Sequence, residues 1–143
     1  MESLRVTRDF PLSDVDSIMK LFDDSFCSMK YGFTSDRAPW GISRFRRVNL
    51  QGVGVFYDEG YGSRSVARTR AHILGDSQSD FIVVIPLLRN SRMSQCGAAQ
   101  TCGPGHFRVL STAVPFAGHV VADGREKYAE LLAKVPGAML REL

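Results

Sequence analysis

The turn sequence Gly103-Pro104-Gly105 restricts the fold of this chain more than any other feature. Proline fixes its own φ and glycine reaches positive φ at little cost, so this tripeptide reverses the chain where other residues would be strained. A run that alternates polar and apolar residues, from His106 to Leu110, follows directly. The segment from Gly97 to Leu110 therefore predicts a tight corner between two β-strands.

From Phe45 onward the sequence consists mainly of short β-like runs separated by turn residues. Several short strands at near-regular spacing, with little helix between them, are typical of an antiparallel sandwich or barrel. The predicted strands are Gly52 to Tyr57, Ser65 to Leu74, Asp80 to Leu88, Met93 to Gln100, His106 to Ser111 and Phe116 to Val121.

The N-terminal part of the chain has a different pattern. Ser13, followed three residues later by Asp16, resembles a capping box and predicts a short amphipathic helix from Leu12 to Phe26. The segment from Cys27 to Ile42 mixes aromatic residues with glycine and proline and shows no period. We predict a loop here that closes over a site.

The C-terminal segment Tyr128 to Val135 fits two structures. Its good helix formers favour a helix, whereas alternation also fits a strand with Leu131, Ala133 and Val135 directed inward. Pro136 ends either one, and the residues from Gly137 to Leu143 are predicted to open a helix.

Length and composition limit the class of protein. A chain of 143 residues with 44% hydrophobic residues is long enough for one domain with one core. The formal net charge is only +3, without the dense basic stripe of a nucleic-acid surface. Three irregularly spaced cysteines indicate reduced thiols, and no run approaches the ~20 apolar residues of a membrane span. We therefore expect a cytoplasmic protein that does not enter a membrane.

Few residues of the sequence point to metal or catalytic chemistry. Cys96, Cys102 and His106 are three ligand types that zinc uses, but their spacing fits no closed site and a fourth ligand is missing. His72 and His119 have no second histidine two residues away. The sequence lacks the pattern of a nucleophilic serine elbow, that of a nucleophile with an adjacent base, and that of a phosphate-binding loop. We therefore expect no metal, no other cofactor and no enzymatic activity.

An ordered series of residues and short motifs carries a family resemblance. Its parts are Arg68-Thr69, Asp80 to Val84, Gln95, Gly103 to Phe107, Thr112, Pro115-Phe116 and Leu132 to Pro136. This series resembles the AraC-binding-like domain, the N-terminal regulatory module of AraC-type transcription activators. The resemblance covers the chain from Phe45 to Leu143, and His106 departs from it because such domains usually carry an acidic residue there.

The resemblance implies a fold and a division of the chain. The fold is a cupin-like jelly-roll barrel or sandwich with a short N-terminal helix, the Tyr128 to Val135 segment as a strand, and the start of a C-terminal helix. Residues 1–44 would form an N-terminal helix and irregular arm, and residues 45–143 the sensor domain.

The resemblance also implies a function: a small-molecule effector binds inside the barrel and shifts a conformational equilibrium. It further implies a homodimer in the full-length protein, and DNA binding only through a helix-turn-helix domain outside this chain. The alternative is a stand-alone cupin-like protein that binds a small molecule or acts as a metal-dependent enzyme.

Candidate ligand-binding residues are polar side chains on apolar strands and aromatic residues near the predicted loop. An arginine binds a carboxylate in a bidentate manner, and aromatic rings form apolar walls. The competing interpretation leaves the arginines in solvent or in ion pairs and the phenylalanines in the core. The candidates are Trp40, Tyr57, Arg68, Arg70, His72, Phe81 and Phe116, with alternation from Val66 placing Arg68, Arg70 and His72 on one strand face.

Overall fold

A computed structural model of the chain describes residues 5–12, 15–34, 41–120, 122 and 126–142. Its helices are α1 (Val15–Ser25), α2 (Arg70–Gly75) and α3 (Gly137–Arg141). Its strands are β1 (Arg5–Leu12), β2 (Lys30–Thr34), β3 (Gly41–Leu50), β4 (Val53–Tyr61), β5 (Ser63–Arg68), β6 (Asp80–Leu88), β7 (Ser91–Gln95), β8 (Ala98–Cys102), β9 (Arg108–Ser111), β10 (Phe116–Val120) and β11 (Lys127–Pro136).

The strands form two antiparallel sheets packed as a sandwich. Sheet A has six strands in the order β1-β3-β4-β11-β6-β9, and sheet B has five in the order β2-β5-β10-β7-β8. Residues from both sheets and from α1 share one hydrophobic core. The mainly β architecture predicted from the sequence is confirmed, as a sandwich rather than a closed barrel.

Helix α1 lies within the predicted segment from Leu12 to Phe26. It buries Ile18 and Phe22, which are four residues apart and therefore lie on one face of the helix, and Phe26 directly after the helix continues this spacing. Ser13, the predicted capping residue, is outside the described residues. The helix prediction is confirmed.

The turn at Gly103-Pro104-Gly105 connects the two sheets. Gly105 has a φ of +88°, and the His106 amide donates to the Gly103 carbonyl oxygen at 3.1 Å. The chain thereby passes from β8, at the edge of sheet B, to β9, at the edge of sheet A. The predicted corner between two strands is confirmed.

One predicted strand, Met93 to Gln100, is a hairpin. Its two strands, β7 and β8, pair around Cys96 and Gly97, whose φ values are +55° and +76°. A two-residue turn with both φ values positive suits the twist of paired strands. The prediction was wrong because a Cys-Gly turn lacks the usual Asn or Asp signal.

A second predicted strand, Ser65 to Leu74, ends early because Thr69 starts a helix. The Thr69 hydroxyl accepts from the His72 amide, while the Thr69 amide donates to His72 Nδ1 at 3.0 Å. This is a capping box with histidine where glutamate or glutamine is usual. Arg70 and His72 therefore lie in α2 and not on a strand face with Arg68, which corrects the sequence prediction.

The predicted loop from Cys27 to Ile42 contains the edge strand β2 and the start of β3. Strand β2 pairs with β5 in sheet B, and β1 pairs with β3 in sheet A. The predicted irregular arm thus supplies strands to both sheets, and the predicted boundary after residue 44 falls inside β3. A five-residue strand at a sheet edge gives too short a pattern to be recognised from alternation.

The C-terminal segment is a strand, as the family resemblance implied, and α3 follows it. Strand β11 lies between β4 and β6, so sheet pairing prevails over its helix propensity. Its orientation is the reverse of the predicted one, because Leu132 is buried in the core. The outer face of sheet A is also apolar, so the sequence of β11 does not show which of its two faces is buried. This outer face includes Val48, Val55, Val83, Val109, Leu131, Ala133 and Val135.

Candidate functional site

A cavity of about 60 Å³ lies between the two sheets. Its walls are mostly apolar, and Phe22 of α1 and Phe26, directly after the helix, close one side. The opposite walls come from both sheets and include Val84, Met93, Leu110 and Phe116. Four polar residues, Arg64, Ser91, His119 and Glu130, also border the cavity.

Strand register explains which residues of sheet B face the cavity. Val120 is opposite Arg64 on one side and Ser91 on the other, so these three residues form one inward row. Gly118 occupies the next inward position, between Val66 and Met93. The polar row therefore forms one end of the cavity and the apolar rows its body.

Gly118 makes room for a neighbouring side chain at the wall of the cavity. A Cβ atom at this position would lie 2.5 Å from Met93 Sδ and 3.0 Å from Val66 Cγ2. The missing side chain leaves room for the Met93 side chain, whose flexible thioether adapts to irregular space.

A buried ion-pair cluster lies at the polar end. Asp58 of β4 and Glu130 of β11 are directly opposite each other in sheet A. The Arg64 guanidinium reaches across from sheet B and contacts both carboxylates, Asp58 through Nη1 and Glu130 through Nη2. All three side chains are 5% exposed or less. Two like charges placed opposite each other destabilise a sheet, so the arginine between them is required.

Two tyrosines complete the cluster. Arg64 Nη1 donates to the Tyr128 hydroxyl at 3.1 Å, and the guanidinium lies 4.4 Å from the centre of the Tyr128 ring. Burial raises the pKa of Tyr128 and of Tyr31, so both phenols stay neutral at physiological pH. Burial also raises the pKa of Asp58, although Arg64 opposes this shift. Burial alone would lower the pKa of Arg64, but the Asp58 carboxylate raises it, so the guanidinium remains charged.

The Ser91 hydroxyl lacks a hydrogen-bond partner among the residues that the structure describes. The residue is 2% exposed and borders the cavity. A buried hydroxyl without a partner costs roughly 1–3 kcal/mol. This position therefore favours a water or a ligand that offers a hydrogen bond.

Arg68, a predicted ligand residue, is a structural clamp. Its guanidinium is 1% exposed and donates to three backbone carbonyls: Thr112 at 2.8 Å, Ser28 at 2.8 Å and Asp76 at 2.6 Å. These bonds join the loops after α1, α2 and β9. The side chain is not among those that line the cavity.

The other predicted ligand residues are dispersed, and only Phe116 lines the cavity. Arg70 is exposed on α2, where His72 is part of the cap. Phe81 is half-buried at the start of β6. Tyr57 lies on the outer face of sheet A and donates to Glu59 at 2.5 Å, and burial with this bond raises its pKa to about 12. Trp40 lies outside the described residues.

The sequence interpretation missed Asp58, Arg64, Ser91 and Glu130. The sequence carried a usable signal for two of them. Asp58 lies two residues after Phe56, and Glu130 lies two residues before Leu132, so each carboxylate is on the same strand face as a core residue. A charged residue at such a position must find a buried partner. The identity of that partner depends on contacts between distant strands.

Within the described ranges, no three histidine, cysteine, aspartate or glutamate side chains come together as a metal site. Cys96 is exposed in the turn between β7 and β8, and Cys102 is buried at the end of β8. Burial raises the pKa of the Cys27 thiol to about 11, which makes it a weak nucleophile. None of the described helices is both long and apolar enough to span a bilayer.

Comparisons with known proteins bear on the fold. Neither a family model nor a curated protein sequence matches the chain. Among solved structures, the AraC-like transcriptional activator CuxR matches with a TM-score of 0.79 at 15% identity, over 98% of this chain and 49% of that chain. A cupin 2 conserved barrel domain protein from Salinispora arenicola matches with a TM-score of 0.47 at 13% identity, over 78% of this chain and 87% of that chain. The chain thus spans about half the length of the activator and shares the fold of the part that it matches, as the resemblance of the sequence implied.

Proposed function

We propose that this chain is the ligand-sensing domain of an AraC-type transcriptional regulator, with a small-molecule effector bound between the two sheets. The observation that carries the proposal is the cavity itself, which is apolar along its body. Its buried polar end includes the Ser91 hydroxyl, which has no hydrogen-bond partner in the described part of the chain. Small-molecule sites combine such apolar walls with a few placed polar groups. The shared fold with an AraC-like activator supports the regulatory setting.

In this proposal the domain binds its effector without transforming it. Asp58 and Glu130, the buried carboxylates, are both engaged by Arg64, which supports a recognition role over acid–base catalysis. Binding would shift the population of conformations that position a DNA-binding domain elsewhere in the full-length protein. Homodimerisation of that protein and a cytoplasmic location belong to the same proposal.

Helix α1 offers a route for the response. Phe22 and Phe26 both border the cavity, and their rings stack with 5.5 Å between centroids. An effector that occupies the cavity must contact these rings or displace them. The position of α1 would therefore depend on whether the cavity is filled.

A thermal-shift screen of small metabolites against a cavity-filling variant tests the proposal. Effectors should raise the melting temperature, because a ligand at 100 times its Kd stabilises the folded state by about 2.7 kcal/mol. Val66→Phe places a larger side chain in the cavity and should abolish these shifts. Val109→Phe, the same substitution at an exposed position of β9, should retain them. Compounds that stabilise the Val66→Phe protein as well as the unaltered one would show that the cavity is not the site.

A further inference from the structure

Among the described residues, two carboxyl groups and one guanidinium meet at the polar end of the cavity. Arg64 is one buried cation, and it contacts two buried carboxylates, Asp58 and Glu130. Tyr128 and Tyr31, the other titratable groups that the structure describes at the cluster, are neutral phenols. With both carboxylates ionised, the cluster carries one uncompensated negative charge, and burial opposes this state by raising the pKa of Asp58. A cation bound beside Glu130 would compensate that charge in a region shielded from water, where charge interactions are stronger than at a surface.

The unpartnered hydroxyl lies at the same end. Ser91 and Arg64 flank Val120 in one inward row of sheet B, which places their backbones two strand spacings, roughly 10 Å, apart. Glu130 borders the cavity from sheet A, facing this row. A polar group of a ligand located over Val120 has a carboxylate on one side and a hydroxyl oxygen on the other.

We propose that the effector is a small organic amine, bound as its ammonium ion, with the charged group between Glu130 and Ser91 and a compact apolar body against Phe116 and Met93. This inference rests on the proposed function and specifies its ligand class. An ammonium ion donates up to three hydrogen bonds and compensates the excess negative charge. A carboxylate ligand would add a second uncompensated charge, and an alcohol would satisfy Ser91 but leave the charge uncompensated.

The cavity limits the size of this amine. A volume of about 60 Å³ has room for a body of only a few heavy atoms. A longer body requires the Met93 side chain, which folds over Gly118, to change its rotamer.

Three probes with one carbon skeleton test the ligand class: isobutylamine, isobutanol and isobutyrate. Binding is followed by NMR of the methionine ε-methyl groups in the purified chain. Met29 and Met93 border the cavity and should shift on binding, whereas Met139, half-exposed on α3, should not. We expect isobutylamine to bind at least about tenfold more tightly than isobutanol, and isobutyrate not to saturate the site.

Substitutions test whether the carboxylate charge of the cluster causes the preference for the amine over the alcohol. Glu130→Gln neutralises the cluster and should reduce the preference for amine over alcohol to less than about threefold. Asp58→Asn removes the same charge from the neighbouring strand and serves as a second variant if Glu130→Gln does not fold. Glu59→Gln is the matched control, because Glu59 pairs with Lys127 at 2.9 Å and is not among the cavity-lining residues. Ser91→Ala should weaken both amine and alcohol.

The possible results distinguish an error in the ligand class from an error in the proposed ligand-binding function of the cavity. Tighter binding of isobutanol or isobutyrate, with shifts at Met29 and Met93, would overturn the amine assignment while supporting a ligand site in the cavity. An unchanged preference in both Glu130→Gln and Asp58→Asn would also overturn it. If no probe shifts these methyl groups, the amine assignment fails. The proposed function fails as well if, in the metabolite screen, every stabilising compound also stabilises the Val66→Phe protein, or if no compound stabilises the unaltered one.

Discussion

Arg64 and Arg68 occupy the same face of β5, yet their environments give them different roles. Arg68 donates to backbone carbonyls of three loops, so its charge is used to hold the chain. Arg64 contacts carboxylates and borders the cavity, so its charge belongs to the candidate site. The two arginines therefore differ in role because of the groups around each guanidinium, and not because of the residue type.

A pair of matched substitutions tests the structural role of Arg68. Arg68→Met leaves the carbonyls of Thr112, Ser28 and Asp76 without their donor and should lower the free energy of unfolding by about 3 kcal/mol. Arg70→Met, two residues along on exposed α2, should change it by less than ~0.5 kcal/mol. Urea denaturation measures both. Equal losses in the two variants would contradict the assignment of Arg68 as a clamp.

The Asp76 carboxylate gives stability that depends on pH. The Ser28 amide donates to Oδ2 at 2.8 Å and lowers the pKa of Asp76. A lowered pKa in the folded state gives stability that is present above the unfolded value, about 3.9, and is lost as pH falls through the folded value. Asp76→Asn should therefore destabilise the protein by about 1 kcal/mol at pH 7, and by progressively less below pH 4.

Denaturation at pH 7 and pH 3 checks the pH prediction. Asp24→Asn, at an exposed position of α1, is the control and should remain within ~0.5 kcal/mol of the unaltered protein at pH 7. A loss for Asp76→Asn that stays the same at both pH values would show that its carboxylate charge does not contribute.

At the scale of elements, the junction between β11 and α3 is a point of close backbone approach. Gly137 is buried, and a Cβ atom there would lie 1.9 Å from the Ser79 carbonyl oxygen. The chain entering β6 therefore passes directly against the start of α3. This contact fixes where the helix leaves sheet A.

Two glycine substitutions test this junction. Gly137→Ala must displace the backbone at Ser79 and should destabilise the protein by at least about 1 kcal/mol. Gly75→Ala, at the end of α2, has open space around the added Cβ and should be neutral or stabilising by up to ~1 kcal/mol. Thermal and urea unfolding report both changes. A neutral Gly137→Ala would contradict the close packing of α3 on β6.

At the scale of the whole molecule, two sheets and helix α1 enclose an apolar core. The ion-pair cluster links the sheets at one end of β5, because Arg64 comes from sheet B and both carboxylates come from sheet A. Near the other end of β5, the buried guanidinium of Arg68 joins three loops. The sandwich thus combines apolar packing in its core with a buried arginine toward each end of this strand.

A chelator experiment tests whether folding depends on a metal. The buried carboxylates of the described residues already contact Arg64, so we expect EDTA to leave the melting temperature unchanged. EDTA saturated with zinc is the control, because it adds the same compound to the buffer without free chelating capacity. A fall of several degrees with free EDTA alone would require a structural metal.

Local patterns in the sequence determined a mainly β fold, helix α1 and the corner at Gly103-Pro104-Gly105. These features depend on alternation, helical spacing and turn residues, which act over a few positions. Strand β6 was predicted with its observed bounds, Asp80–Leu88, because its apolar run is long. Helix α2 and the Cys96-Gly97 hairpin were missed because their signals use unusual residues.

Tertiary structure alone decided which polar side chains became part of the candidate site. Arg68 and Arg70 look alike in sequence, yet one is buried among backbone carbonyls and the other is exposed. Asp58 and Glu130 meet only because β4 and β11, far apart in the chain, are neighbours in sheet A. A buried charge is stable only beside its partner, and strand order sets that partner, so the site depended on long-range pairing that local patterns do not encode.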